Sequence, residues 1–194
     1  MLIVIFFGKY FLFDGGWKMK GYNSIIIVLL VYALFSGCAT QQKKVGCIEG
    51  KCDEGYGVYV WEDGTMYAGN FKSGKFHGQG TYTWANGMTY TGIYVDGKRH
   101  GYGVMTWPDG SSYRGEFYND EITGKGKYIY ADGKIYTGPM VKGKANGIGI
   151  LEWPDGTRYE GEFVDNRIEG KGTLIYPDGR TLKGRFINGI LVNE

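Results

Sequence analysis

Residues 67–89 read YAGNFKSGKFHGQGTYTWANGMT, and the alternation inside them decides the fold. Tyr67, Gly69 and Phe71 alternate with Ala68 and Asn70; further on, Gly78, Gly80, Tyr82 and Trp84 alternate with Gln79, Thr81 and Thr83. A period of two places successive side chains on opposite faces of a strand. Gly74-Lys75 marks a turn region between two such strands, and Asn86-Gly87 marks the turn out of them, since glycine accepts the positive φ that tight hairpin turns require. The stretch therefore predicts a β-hairpin with aromatics and glycines on one face.

The chain copies this hairpin. Tyr67, Tyr90, Tyr113, Tyr136 and Tyr159 lie 23 residues apart, and so do Gly69, Gly92, Gly115, Gly138, Gly161 and Gly184. The next large position reads Phe71, Tyr94, Phe117, Met140, Phe163 and Phe186, and the Gly-x-Gly recurs from Gly78/Gly80 to Gly170/Gly172. Successive units are joined by Asn86-Gly87, Asp109-Gly110, Asp132-Gly133, Asp155-Gly156 and Asp178-Gly179. A fixed period of this length is the signature of a tandem-repeat architecture. Glycine leaves a slot that a neighbouring ring can cover, which offsets the weakening effect of glycine on strands. With no amphipathic helix and no second family of strands to cover the aromatic face, the expectation is an all-β, elongated, curved, largely single-layer antiparallel sheet. Some 12 to 13 strands at ~4.8 Å spacing would reach roughly 60 Å.

The order Y-x-G-x-F, then G-K-x-x-G-x-G, then an aromatic and D-G, resembles the MORN repeat. Five full units over 67–181 follow a partial one ending GYGVYVWEDGTM and precede LKGRFINGILVNE. Pro139-Met140, Asn119-Asp120, Asp165-Asn166 and Leu182 depart from the pattern, and regularity is expected to weaken there. The resemblance implies scaffolding and membrane attachment, with binding of acidic phospholipid headgroups as the alternative.

Composition fits this reading: 35 Gly, 17 Tyr, 10 Phe and 5 Trp against 4 Pro are too glycine-rich for ordinary helices and too aromatic for a linker. Ahead of the repeats, Met19 and Lys20 open a segment whose apolar run from Ile25 to Phe35 is too short to span a membrane but suits a secretory signal. It ends Leu34-Phe35-Ser36-Gly37-Cys38, which resembles the lipobox of bacterial lipoproteins and implies a lipid on Cys38. The expected organisation is an upstream extension at 1–18, spurious if Met19 rather than Met1 is the start, then a signal peptide at 19–37, a tether at 38–46 and the repeat domain at 47–194. Ala39 after the lipidated cysteine favours the periplasmic face of the outer membrane in a two-membrane bacterium.

Three of the 22 basic and one of the 20 acidic residues precede Cys38, leaving 19 of each beyond it. A neutral chain offers no net field for nucleic acid or anionic lipid. Cys47 and Cys52 are expected to pair in an oxidising compartment, because the segment from Val45 to Gly57 has no His, and structural zinc sites want four Cys or His ligands. Their bridge would fasten the first, partial unit, whose outer side has no neighbouring repeat.

His77 and His100 share a repeat position, but two ligands make an incomplete metal site, and one Asp per turn lacks the ligand density of a calcium loop. No Ser or Cys nucleophile has a histidine base in prospect, and the Gly-x-Gly pairs lie in strands rather than in a strand-to-helix phosphate cradle. A non-enzymatic chain without catalytic residues, metal or cofactor is expected. Its candidate interaction face is the aromatic strip of Tyr67, Trp84, Tyr90, Trp107, Tyr113, Tyr136, Trp153 and Tyr159, engaging a protein partner or another copy of the chain.

Overall fold

A computed structural model describes residues 4–6, 9–11 and 44–192. The chain divides into two compact units between Lys43 and Lys44. In the first, β1 (Val4–Phe6) pairs antiparallel with β2 (Lys9–Phe11). Cys38, the apolar run from Ile25 to Phe35 and the segment up to residue 43 lie outside the described residues.

The second unit is one open antiparallel sheet of fifteen strands. It begins with β3 (Gly46–Gly50) and β4 (Gly55–Val60), followed by β5 (Met66–Lys72), β6 (Lys75–Thr83), β7 (Thr89–Val95), β8 (Lys98–Thr106) and β9 (Ser112–Tyr118). It continues through β10 (Glu121–Ile129), β11 (Ile135–Val141), β12 (Lys144–Ala145), β13 (Gly147–Glu152), β14 (Arg158–Val164), β15 (Arg167–Ile175), β16 (Thr181–Ile187) and β17 (Ile190–Val192). Neighbours in sequence are neighbours in the sheet throughout, with β12 lying beside β11 off the main path. The count exceeds the expected 12 to 13 because β3 and β17 extend the partial end units and one return strand is divided into β12 and β13.

That division falls at Pro139. Proline has no amide hydrogen to give to a ladder, and the pairing of β11 with β13 stops at Thr137↔Ile150, while β12 rejoins at Met140↔Ala145. Asn119-Asp120 and Asp165-Asn166, by contrast, keep the turn intact. Their φ values of 50° and 72°, and of 48° and 70°, match the 49° and 72° of Ser73-Gly74. Asn and Asp tolerate the left-handed region better than other residues carrying a Cβ.

The two turn classes differ in a way that the dipeptides alone do not reveal. The mid-repeat turns have both central residues at positive φ, as a two-residue hairpin loop requires. At Asp109-Gly110 only the glycine is at positive φ, 87°; Gly110 N donates to Trp107 O and Trp107 N to Ser111 O, each at 3.0 Å. This is a three-residue loop closed by a glycine bulge. The aspartate accepts the amide hydrogen two residues on, from Ser111 at 2.9 Å, and Asp63, Asp132, Asp155 and Asp178 do the same at 2.8–3.1 Å. Hydrogen bonds from Ser111 hold the Asp109 carboxyl below the usual carboxylate range.

Candidate functional site

The sheet carries its own core on one face. In β5 and β6 Gly69 pairs with Gly80, and the Tyr67 ring covers the pair: a Cβ on Gly80 would lie 2.6 Å from the ring carbons Cε2 and Cζ. Tyr90 covers Gly92 and Gly103 in the same way, and Tyr113, Tyr136 and Tyr159 repeat the arrangement. Past the glycines the ladder register shifts, between Gly69 and Phe71, Gly92 and Ile93, and Gly161 and Phe163. Each tyrosine hydroxyl donates to the carbonyl three residues on: Tyr67 to Asn70 at 2.9 Å, Tyr90 to Ile93 at 3.1 Å and Tyr136 to Pro139 at 2.8 Å. Tyr113 and Tyr159 make the corresponding bonds to Glu116 and Glu162 at 3.3 Å. One side chain thus fills the glycine slot and satisfies the carbonyl beside the irregularity.

The rings also link one unit to the next. Tyr67 meets Phe71 of its own strand at 5.0 Å and Tyr94 of the next unit at 5.3 Å, both edge to face. Tyr90 likewise meets Tyr94 and Phe117, and Tyr159 meets Phe163 and Phe186. Such contacts add to the area term because the electropositive edge of one ring faces the electronegative face of another. Burial raises the phenol pKa of Tyr67, Tyr90, Tyr113 and Tyr136 from 10.0 to about 12.

This geometry corrects the sequence-based interaction face. Tyr67, Tyr90, Tyr113, Tyr136 and Tyr159 are only 0–1% exposed, because each ring lies against a glycine pair and between neighbouring rings, so they form the core and offer no surface to a partner. Trp84, Trp107 and Trp153 are half-buried along its border; Trp84 packs on Tyr82 at 4.6 Å and Trp107 on Tyr128 at 5.5 Å.

Cys47 and Cys52 form a disulfide, with Cα atoms 5.9 Å apart. A Cβ on Gly57 would lie 2.9 Å from Cys52 Sγ, so the bridge occupies the glycine slot of the first unit, where later units place a tyrosine. His77 and His100 have buried Nδ1 atoms without hydrogen-bond partners, and among the described residues no group of three His, Cys, Asp or Glu could hold a metal. Nor is any helix among the described residues long and apolar enough to cross a membrane.

The exposed apolar surface lies elsewhere. Val95, Tyr118, Val141, Val164 and Ile187 are 39–59% exposed, and they recur every 23 residues, one place after the buried Tyr94, Phe117, Met140, Phe163 and Phe186 and beside the mid-repeat turn. Alternation directs them to the face opposite the core. Their periodicity was present in the sequence, but a position that reads Lys72 in the first full unit passes for a polar outer site.

No curated protein matches the chain. Among solved structures it is similar to the TCP domain of SAS-4 in complex with a proline-rich motif of Ana2, from Drosophila melanogaster, at 14% identity and a TM-score of 0.44, over 66% of this chain and 70% of that one. The G-box domain of the microcephaly protein CPAP matches at 16% identity and a TM-score of 0.19, over 69% of this chain and 100% of that one. An inactive virginiamycin B lyase from Staphylococcus aureus matches at 19% and 0.18, over 75% and 46%. At such scores these likenesses carry no functional argument. The family comparison is of another order, with six consecutive matches to the MORN repeat over residues 54–66, 67–89, 90–112, 113–135, 136–158 and 159–179. With the glycine pairs, their tyrosine covers and the unbroken hairpin order on the page, the chain belongs to the MORN repeat family.

Proposed function

We propose that this protein is a membrane-anchored, non-enzymatic scaffold of the bacterial cell envelope, held by a lipid on Cys38 and presenting the outer face of its repeats to a protein partner. The column of Val95, Tyr118, Val141, Val164 and Ile187 carries the interaction part of this reading. Exposed apolar side chains recur in one line on successive hairpins, four of them beside a charged partner across the mid-repeat turn (Lys98, Glu121, Lys144 and Arg167), and a repeated line of this kind marks an interaction site more often than scattered residues do. The Leu34–Cys38 sequence supports the anchor, and Ala39 supports the outer membrane where there are two.

Headgroup recognition by the repeats is the competing reading, and the equality of 19 basic and 19 acidic residues beyond Cys38 weighs against it. Two measurements test the proposal. Cys38→Ala abolishes labelling by fatty acid, and normal labelling of that variant refutes the anchor. Non-lipidated protein of residues 39–194 sediments no better with anionic than with neutral vesicles. Strong, salt-sensitive binding to anionic vesicles alone replaces the scaffold reading with the lipid-reading one.

A further inference from the structure

The outer face is not uniform, although the repeats that build it are. Register places Val58, Ala68, Thr81, Thr91 and Val104 in one row across β4 to β8, of which Val58 is buried and the other four reach the surface, and the same row continues into Arg114 and Lys127. The rows on either side behave alike. Tyr56, Asn70, Gln79, Ile93 and Tyr102 flank the first row on one side, across the register shifts after Gly69 and Gly92, and Val60, Met66, Thr83, Thr89 and Thr106 on the other; none is charged, whereas further along the sheet these positions bring in Glu116, Lys125, Glu152 and Arg158. The later repeats show that charge at these positions is compatible with the fold. Its absence over five adjacent strands is therefore no requirement of the hairpin.

We infer that this uncharged face over β4 to β8 is where a second copy of the chain docks, face to face and by the same surface on both copies. The inference rests on the reading of the repeats as a protein-interaction surface and names the partner. Three observations favour a second copy. Threonine hydroxyls inside the patch pair with each other, Thr81 with Thr91 at 3.0 Å and Thr89 with Thr106 at 2.6 Å. Covering them therefore strands fewer polar groups than covering isolated hydroxyls would. A surface without charge can meet itself without like-charge repulsion, as an isologous contact demands. Tyr56 and Tyr102, 55% and 56% exposed, stand on the two outermost strands of the patch and supply the aromatic anchors favoured in interfaces.

The size is also appropriate. Five strands at about 4.8 Å spacing, crossed by three residue rows roughly 7 Å apart, give about 500 Å² per copy and about 1,000 Å² per pair, the low end of specific interfaces. Such a contact is weak and reversible in solution, and tethering two copies to one membrane raises their effective concentration.

The repeats supply the test variants. Thr81 stands 46 residues before Lys127 and Thr91 stands 23 before Arg114, so Thr81→Lys with Thr91→Arg installs residues the same fold already accepts at the equivalent positions. Purified full-length protein in non-ionic detergent is examined by sedimentation equilibrium. The wild type shows a concentration-dependent dimer, and the double variant dimerises at least tenfold more weakly with its circular dichroism and melting temperature unchanged. A photo-crosslinking side chain at Thr91 gives a species of twice the chain mass, and one at Lys127 does not. A monomer at every concentration, a dimer indifferent to the double variant, or equal crosslinking from Lys127 overturns the inference. A monomeric chain that still captures a different protein through the Val95–Ile187 column leaves the scaffold reading standing, so the two fail separately.

Discussion

The hydroxyl of Tyr90 donates to the carbonyl oxygen of Ile93 at 3.1 Å, in the same strand and beside the register shift between Gly92 and Ile93. The bond requires the ring to lie along its own strand over Gly92, which is possible only because neither Gly92 nor Gly103 has a Cβ. Tyrosine and glycine pair are therefore one device, repeated five times. Tyr90→Phe keeps the ring and removes the donor, leaving a buried acceptor, and is expected to cost about 1–3 kcal/mol by urea denaturation. An unchanged midpoint and slope would show that the hydroxyl contributes nothing.

Gly103→Ala tests the other half of the device. A Cβ there would stand 2.6 Å from the Tyr90 ring, inside van der Waals contact, and the ring has no free side to which it can move. The backbone at Gly103 is outside the left-handed region, so any loss reports crowding rather than strain at φ. The expected destabilisation is about 1–3 kcal/mol, with increased amide exchange centred on β7 and β8.

Alkaline pH should unfold the sheet within a defined window. Tyr67, Tyr90, Tyr113 and Tyr136 hold their protons to about 12 in the folded chain, against 10.0 for a free phenol, because burial penalises the phenolate. Between these values the unfolded chain has lost protons that the folded chain retains, so stability falls as pH rises. Below 10 this contribution is fully present; it is lost between 10 and about 12. Melting temperature followed by circular dichroism should hold steady up to pH 9 and drop steeply over pH 10–12. A flat profile across that window would contradict the burial of the four phenols.

Reducing the Cys47–Cys52 bridge should act locally. The ring it closes is short, and such a loop constrains the unfolded chain by roughly 2 kcal/mol. Cys52 covers Gly57 at one end of the sheet, so its release loosens β3 and β4 first. Hydrogen exchange should rise in residues 46–60 and remain unchanged beyond β7. Loss of protection throughout the sheet would show that the first unit nucleates the rest.

Much of this molecule was legible in the sequence. Alternation of period two gave the strands, the 23-residue spacing gave their number to within a few, and the turn dipeptides located the reversals, because each depends on local backbone preference. The pairing of Cys47 with Cys52 was legible for the same reason, being a contact between near neighbours in the chain. How completely the aromatic face is buried was not. A line of tyrosines flanking glycines reads as a partly covered strip with surface left for a partner until the register sets Gly92 against Gly103 and lays Tyr90 over both.

Three-dimensional pairing alone also decided that Pro139 divides a strand while Asn119-Asp120 preserves a turn: proline removes a hydrogen bond from a ladder, whereas Asn and Asp only have to adopt a φ they tolerate. The uncharged row from Val58 to Val104 likewise exists only across strands, since its members lie 10 to 13 residues apart and become neighbours through the sheet register. Sequence determined what each strand is, by local propensity and periodicity; tertiary structure determined which side chains share a surface, because that depends on register between strands, which the turns and the burial of one face set together.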